Sequence, residues 1–264
     1  MQSQYEGYFY TPLLWHGSLL GGLKYFELDN NVLKTFNGII PERLRLGKRV
    51  EYFALSNLSQ QSQIELIANN VQIQREKITL GELDCILKMN GQLTHLEIVY
   101  KFYLYVPDYG KGLGAWIGPN KKDSLIEKLN RLKNHQLPLL HQPECINYLK
   151  TKQIEINVIV QRVLFKAQLF LPEALDDVDY EGLNEACIAG RYIHYIFFNK
   201  FRDCKFFIPD KYDWLVIPHS NVDWVIYEKA IFNIKEFIDR EFSPLVWIKH
   251  PNGVIQKYFI IWWS

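Results

Sequence analysis

The chain has 264 residues, of which 48% are hydrophobic and 15% aromatic, and its formal net charge is +1. This length allows one large core, or a core with an appended subdomain. The apolar runs are short and broken by charges, which argues against a membrane span. The nearly balanced charge neither supports nor excludes a polyanionic partner.

The cysteines and the first residues favour a cytoplasmic protein. The start, MQSQYEGYFY, has no basic region followed by an apolar stretch, so it predicts no secretory signal. Four widely spaced cysteines without a CxxC pair indicate reduced thiols, not a disulfide or zinc framework. They are Cys85, Cys145, Cys187 and Cys204.

In chain order, the first predicted region is an aromatic, glycine-rich packing segment over residues 1–40. Apolar residues at three- and four-residue spacing then predict a helix over 44–58. Strands follow over 64–74, 80–87 and 93–104. The last two strands form a hairpin, because Asn90-Gly91 between them is a strong turn signal.

The next segment predicts a second helix that Asn120 or Ser124 can cap and that Pro138 ends. A long strand over 154–170 completes the order helix, three strands, helix, strand, which predicts an α/β core over 41–171 around a mixed sheet. Acidic residues at 173–185, with no basic one, indicate a connector to the C-terminal subdomain.

That subdomain, residues 172–264, is aromatic-rich, and we expect it to be α+β. The segment DWLVIP predicts a strand at 213–218. Ala230, Ile234 and Ile238 mark one side of a helix, and a closing hairpin turns at Asn252-Gly253.

Charged side chains lie on one face of the predicted central hairpin. Because side chains alternate along a strand, Glu82 and Asp84 share a face of the first strand, and His95, Glu97 and Lys101 share a face of the second. Two carboxylates brought together repel each other unless a cation lies between them, and hard ions such as Mg²⁺ prefer oxygen ligands. An ordinary amphipathic hairpin with a solvated polar face is the alternative.

Several short motifs carry a family resemblance: Gly81-Glu82-Leu83-Asp84, His95-Leu96-Glu97, Lys101-Phe102-Tyr103-Leu104, Gly118-Pro119-Asn120 and His135-Gln136-Leu137-Pro138. With them the chain resembles the PD-(D/E)XK nuclease-like superfamily. Within it, the chain is similar to a bacterial family built on a domain of unknown function (family 1853). The resemblance implies a restriction-endonuclease-like core and metal-dependent hydrolysis of phosphodiesters.

The resemblance also implies roles for particular residues. Asp84 and Glu97 would hold Mg²⁺ or Mn²⁺, helped by the backbone carbonyl of Ile98. Glu51 matches the glutamate of the first helix, and Gln136 matches a glutamine that some members place near the site. Glu51 also lies among apolar positions at helical spacing, whatever the family. His95 is either a further ligand or a hydrogen-bonding partner.

The chain departs from the superfamily motif at its lysine. The motif places a lysine two residues after the glutamate, where this chain has Val99. Lys101 is the expected catalytic lysine, although its Cα lies about 13 Å from that of Glu97 along a regular strand. Lys121, Lys122, Lys128 and Lys166 are alternatives.

Basic residues flank the predicted site and predict contacts with nucleic acid, most simply DNA. They are Arg45, Lys48, Arg49, Lys121, Lys122, Lys128 and Arg131. A solvated helix face would have the same composition. Trp116, Trp262 and Trp263 either stack on bases or pack in the core. The predicted function is therefore a DNA nuclease, and the alternative is a catalytically weakened nuclease fold that binds nucleic acid or a protein.

Overall fold

The computed structural model describes residues 1–17, 20–27, 33, 35–175, 178 and 180–263. Within it, the chain forms two compact units that alternate along the sequence. The first unit comprises Met1–Pro12, Lys101–Ile126 and Ala167–Ser264, and the second comprises Leu13–Tyr100 and Glu127–Lys166. The sequence analysis instead divides the chain into consecutive segments, with boundaries near residues 40 and 171. That division concerns separately folding domains and stays a prediction.

The fold belongs to the α/β class. The α-helices of the described residues are α1 (Gln2–Tyr10), α2 (Leu46–Ser59), α3 (Leu125–Arg131), α4 (Pro143–Thr151) and α5 (Tyr227–Ile238). The strands are β1 (Ile64–Arg75), β2 (Ile78–Met89), β3 (Gln92–Tyr105), β4 (Trp116–Ile117), β5 (Val160–Pro172), β6 (Ile188–His194), β7 (Lys205–Phe207), β8 (Leu245–Lys249) and β9 (Ile255–Ile261). None of these helices is long and apolar enough to cross a membrane.

The second unit contains an antiparallel meander of β1, β2 and β3, with β5 next to β3 in the strand order. Asn90 and Gly91 have φ angles of 50° and 86°. Positive φ at both central residues is typical of the two-residue hairpin turn that the sequence predicts. Residues 83–87 of β2 are buried without interruption, which indicates that both faces of this strand are covered.

In the first unit, β5, β6 and β9 are parallel neighbours, whereas β8 and β7 continue the order antiparallel. The sheet is therefore mixed, as predicted. Helix α5 packs Ala230 and Ile234 into a core that includes Phe198, Phe206 and Ile260. The closing hairpin is confirmed, since β8 and β9 pair from Leu245↔Phe259 to Lys249↔Ile255.

Several predicted elements are confirmed with small shifts of their ends. The helix over 44–58 is α2, the strand over 64–74 is β1, and the hairpin over 80–104 is β2 and β3. The helix on the C-terminal side is α5. These segments combine clear apolar periodicity with strong turn signals, and local sequence therefore determines them.

Other predictions were wrong. The segment DWLVIP is not a strand, because residues Lys211–Leu215 form a 3₁₀-helix whose backbone bonds close locally. Pro138 does not end the second helix: after α3 the chain makes a π-helical turn and then a 3₁₀-helix over Leu137–His141. Proline fits there because the first turn of a helix has no partner for its missing N–H. The long strand begins at Val160 and not at 154.

Helices α1 and α4 were not predicted. Pro143 and Glu144 in the first turn of α4 are start signals that a closer reading would have used. Asn120 does not cap a helix, since its Oδ1 accepts the backbone N–H of Ser243 at 2.7 Å. Parts of two predicted segments lie outside the described residues, namely residues 18, 19, 28–32 and 34 and the acidic positions 176, 177 and 179.

Candidate metal centre

Helix α2 and strand β2 of the second unit bring carboxylates together. Lys48 and Glu51 are three residues apart on α2, so their side chains lie one turn apart on the same side of the helix. Glu82 and Asp84 alternate with buried Leu83 and Cys85 on β2. The sequence thus provides two short polar rows, and the packing of α2 on the sheet makes them meet.

Glu51, Glu82 and Asp84 each offer a carboxylate oxygen, and these oxygens lie within 4.8 Å of one another. Oxygen ligands of one octahedral Mg²⁺ ion, each about 2.1 Å from it, lie about 3 Å apart when adjacent and about 4.2 Å apart when opposite. The cluster therefore offers the ligand type that Mg²⁺ or Mn²⁺ prefers, with the three oxygens close enough together to make it a candidate metal site.

Lys48 is the nearest cation to this cluster among the described residues. Its Nζ donates to Glu51 Oε2 at 2.7 Å and also to Glu82 Oε1. Burial by itself lowers the pKa of Lys48, but these two bonds outweigh it and raise the pKa. Asn70 of β1, with its amide nitrogen towards the carboxylates, donates to Glu51 at 3.0 Å and to Glu82 at 3.3 Å.

The cluster carries more negative charge than one ammonium group balances. Burial and then the charge of Glu97 raise the pKa of Asp84 to about 8, although the backbone N–H of Ile98 donates to Asp84 Oδ2 at 2.8 Å. Burial also raises the pKa of Glu51, against the opposing effect of Lys48. A divalent cation would stabilise the ionised forms of both carboxyl groups.

Glu97 of β3 is completely buried and accepts hydrogen bonds at both oxygens. Gln136 donates to its Oε2 at 2.5 Å, and His95 Nε2 lies 3.0 Å from its Oε1. Gln161 donates from Nε2 to His95 Nδ1 at 2.9 Å and to the carbonyl of Leu137 at 2.6 Å. Because Nδ1 accepts, the ring hydrogen lies on Nε2, and His95 is a hydrogen-bonding partner of Glu97.

The structure thus divides the predicted site in two. Glu51 and Asp84 belong to the carboxylate cluster, and Glu82, which the sequence reasoning left without a role, completes it. Glu97 and Gln136 form an adjacent buried network that Lys128 extends by donating to Gln136 Oε1 at 2.7 Å. Ile98 contributes its backbone N–H to Asp84, whereas the sequence predicted its carbonyl as a ligand.

The predicted catalytic lysine, Lys101, forms an ion pair with Asp123 in the first unit. The position that the superfamily motif assigns to lysine holds the buried Val99. Lys166 is buried on β5, Lys122 is exposed, and the ammonium of Lys121 lies 4.4 Å from the ring centre of Trp263. Among the described residues of the second unit, Lys48 is the lysine in direct contact with the carboxylate cluster.

A pocket of about 270 Å³ in the second unit opens onto the cluster. Its polar lining comprises Lys48, Glu82, Asp84, Arg131, His135 and Gln136. Of the residues predicted to bind nucleic acid, Lys48 and Arg131 thus border the carboxylates. Arg45 is exposed just before α2, and Arg49 is half-buried within it.

The three tryptophans that were candidates for base stacking differ in their burial. Trp116 is fully buried beside Tyr180, with ring centres 6.4 Å apart. Trp263 is buried and donates from Nε1 to the carbonyl of Pro119 at 2.9 Å. Both therefore pack in the core of the first unit, and Trp262 is half-buried.

Sequence reasoning missed the contributions of Glu82, Asn70 and Gln161. Glu82 had a usable signal, since it shares a strand face with Asp84. Asn70 has a φ of 50°, a left-handed conformation that no pattern in β1 predicts. Gln161 precedes Arg162 near the start of β5, and its bonds to His95 and to the carbonyl of Leu137, both distant in sequence, explain its position.

These features define an α/β protein with a cluster of carboxylates at a polar pocket. Residues 17–252 match the family described as Domain of unknown function (DUF1853), and the chain belongs to that family. Searches of the curated proteins and of the solved structures found no match.

Proposed function

We propose that this protein is a divalent-metal-dependent nuclease that hydrolyses phosphodiester bonds of DNA, built on a core of the PD-(D/E)XK type. The observation that carries the proposal is the cluster of Glu51, Glu82 and Asp84, whose ligand oxygens lie within 4.8 Å of one another. The same pocket is lined by Lys48, Arg131 and His135, which suit a phosphate group. Metal-dependent hydrolysis of a phosphodiester requires carboxylates that bind the metal ion and basic side chains that bind the phosphate. This pocket provides both kinds of residue side by side.

When bound, Mg²⁺ or Mn²⁺ supplies a water of lowered pKa and neutralises charge on the phosphate. Glu51, Glu82 and Asp84 would hold the ion, and the carboxyl group of Glu97 is buried on the neighbouring strand β3. Lys48 takes the role that the motif gives to its lysine, because its ammonium already contacts two of the carboxylates. Arg131 orients a phosphate oxygen by hydrogen bonding.

The hydrogen-bond network around Glu97 has a positioning role. Gln136 and His95 each direct an N–H towards one of its oxygens, and Gln161 holds the imidazole in the required tautomer. A carboxyl group fixed in this way keeps its orientation without a solvent shell. The Lys128–Gln136 bond extends this support to α3.

A second function has its own supporting observation, namely a nuclease fold that binds nucleic acid or protein without efficient cleavage. Val99 places a buried apolar side chain at the motif's lysine position, and Lys101 is paired with Asp123. If Lys48 does not replace the missing lysine, metal binding remains while cleavage is lost. The two functions therefore differ in rate and not in metal affinity.

Isothermal titration with Mg²⁺ and with Mn²⁺ tests the centre itself. We expect binding to wild type to be weakened at least about tenfold by Glu82→Gln, which removes one charged ligand. Glu65→Gln is the matched control, because Glu65 is an exposed glutamate of β1 in the same unit. Equal affinities for wild type and Glu82→Gln would contradict the metal centre.

Cleavage of single-stranded, duplex and branched DNA, with RNA as a parallel substrate, tests the activity. We expect cleavage that needs the divalent ion, that EDTA abolishes, and that Asp84→Asn abolishes. Metal binding without cleavage of any of these substrates would favour the second function. RNA cleavage alone would retain the chemistry and contradict the DNA assignment.

A further inference from the structure

The first unit contains a buried lysine that the proposed nuclease chemistry does not use. Lys257 lies on β9, and only 5% of its surface is exposed. Its Nζ donates to Gln168 Oε1 at 2.9 Å and to the carbonyl of Trp214 at 2.7 Å. Both acceptors are neutral, so the described surroundings of this amine provide two hydrogen-bond acceptors and no compensating charge.

The backbone around Lys257 is tightly constrained. It lies opposite Gly190 in the parallel pair of β6 and β9, and a Cβ on Gly190 would come within 2.1 Å of the Lys257 carbonyl oxygen. Gly7 of α1 is equally close to the carbonyl oxygen of Leu215, at 1.9 Å for an added Cβ. These close approaches require glycine at both positions and hold the backbone next to Lys257 and Leu215 in place.

A pocket of about 210 Å³ lies against this amine, and both Lys257 and its partner Gln168 line it. The rest of the lining is mainly small and apolar, for example Ala167, Ala189 and Ile217. Tyr10 and Cys187 are its other titratable side chains. The pocket therefore offers space for a short aliphatic ligand, and Lys257 is the lysine that borders it.

The protonation state of Lys257 determines which ligand chemistry fits. Burial lowers the pKa of Lys257 to about 7, because an ammonium loses its hydration there and gains no counter-ion. A neutral primary amine has two N–H groups, which match the two acceptors, and one lone pair. A desolvated amine of this kind is a nucleophile towards carbonyl carbon.

We propose that this pocket binds a small aliphatic aldehyde, which Lys257 captures as an imine. The nitrogen lone pair attacks the carbonyl carbon, and the N–C bond forms as the carbonyl electron pair moves to oxygen. A proton passes from nitrogen to that oxygen to give the carbinolamine. Loss of the hydroxyl group with a second proton from nitrogen, as water, leaves the imine. No oxidant or reductant takes part, and hydrolysis reverses the capture.

The test uses the full-length protein, butanal as the probe and borohydride reduction to fix the imine as a secondary amine, with peptide mapping by mass spectrometry. At pH 7.5 an ordinary lysine with a pKa of about 10.4 is neutral to only about 0.1%. We therefore expect Lys257 to be labelled at least about tenfold faster than Lys229, an exposed lysine of α5. Denaturant should remove this preference.

Three variants separate capture in the pocket from adventitious labelling. Lys257→Met should abolish the fast phase, whereas the matched Lys229→Met should leave it unchanged. Ala186→Trp narrows the pocket from an exposed position, so it should slow labelling of Lys257 several-fold even if Lys257→Met folds poorly. Labelling of Lys257 no faster than that of Lys229, or unchanged by Ala186→Trp, would overturn the proposal.

Discussion

The acidic pocket of the second unit and the Lys257 pocket of the first unit respond to burial in opposite ways. The acidic pocket gathers Glu51, Glu82 and Asp84 around one ammonium, so negative charge remains in excess. The Lys257 pocket isolates one amine between two neutral acceptors. Like charges that packing holds together favour a bound cation, whereas a single buried base loses its proton. The first arrangement suits metal chemistry, and the second suits a nucleophile.

The largest expected effect concerns the lysine of the acidic pocket. Lys48→Ala should lower DNA cleavage by about two orders of magnitude or more, the usual scale for a positioned proton-transfer or charge-stabilising group. Lys101→Ala is the matched comparison, because Lys101 is paired with Asp123. It should leave the rate per folded molecule unchanged. Single-turnover cleavage at saturating Mg²⁺ measures both rates.

The opposite ranking of these two variants would return the catalytic role to Lys101 and leave Lys48 as a structural ion pair. Lys48→Arg sharpens the test, because a planar guanidinium retains the charge but is a poor copy of a compact ammonium. We expect it to rescue little activity.

The next effect is on stability and comes from Asp84. Its pKa is raised from 3.8 to about 8, so between these values the folded state binds more protons than the unfolded state. The contribution of Asp84 to the free energy of unfolding is therefore fullest below pH 4 and is lost as the pH rises towards 8. Asp84→Asn cannot ionise, and its melting temperature should exceed that of wild type by about 5 °C at pH 8 and by little at pH 4.

Thermal melts of both proteins from pH 4 to pH 8 measure this difference. Added Mg²⁺ should recover the wild-type loss at pH 8, because it binds the ionised cluster of the folded state. It should not recover the variant to the same extent. A variant that is less stable than wild type at pH 8 would show that ionised Asp84 contributes to stability without a metal.

For Lys257 we expect a smaller effect on stability, with the opposite dependence on pH. Its pKa is lowered from 10.5 to about 7, so between these values the unfolded state binds more protons. The contribution of Lys257 to the free energy of unfolding is present at high pH and is lost as the pH falls through 7. Lys257→Met should therefore gain about 3 °C over wild type at pH 6, and the gain should shrink towards pH 10. Differential scanning calorimetry over this range tests the sign, which a constant offset between the two proteins would contradict.

We expect the smallest effect on stability from an exposed ion pair of the second unit, which serves as a reference for the buried charges. Arg75 Nε lies 2.6 Å from Glu144 Oε1, and more than half of the Arg75 side chain is exposed. Solvent screens such a pair and ordering the side chains costs entropy. Arg75→Ala should change the melting temperature by less than about 2 °C at low salt, and by less still at high salt. A larger change would mean that charge alone, and not burial, governs the two pockets.

Much of the secondary structure could be predicted because local signals were strong. The turn at Asn90-Gly91 and the periodicity of α2 and α5 each come from residues near in sequence. Predictions failed where a distant contact or an unexpected local turn decided the structure. Asn120 has a side chain that is typical of a helix cap. Its Oδ1 instead accepts a hydrogen bond from the backbone N–H of Ser243, more than a hundred residues away in the sequence. DWLVIP had the composition of a strand, but its backbone bonds close locally.

For the candidate site, the sequence by itself determined which ionisable residues share a strand face or a helix side. Alternation places Glu82 with Asp84, and helical spacing places Lys48 with Glu51. The packing of α2 against the sheet decided that these pairs meet, and the network of Gln136, His95 and Gln161 decided that Glu97 lies beside the cluster instead of completing it. No pattern could predict the lowered pKa of Lys257, because this pKa depends on how completely distant segments exclude water from the amine. Periodicity records only which neighbours in sequence share a face, whereas desolvation and Coulomb energies depend on distances that the folded chain alone sets.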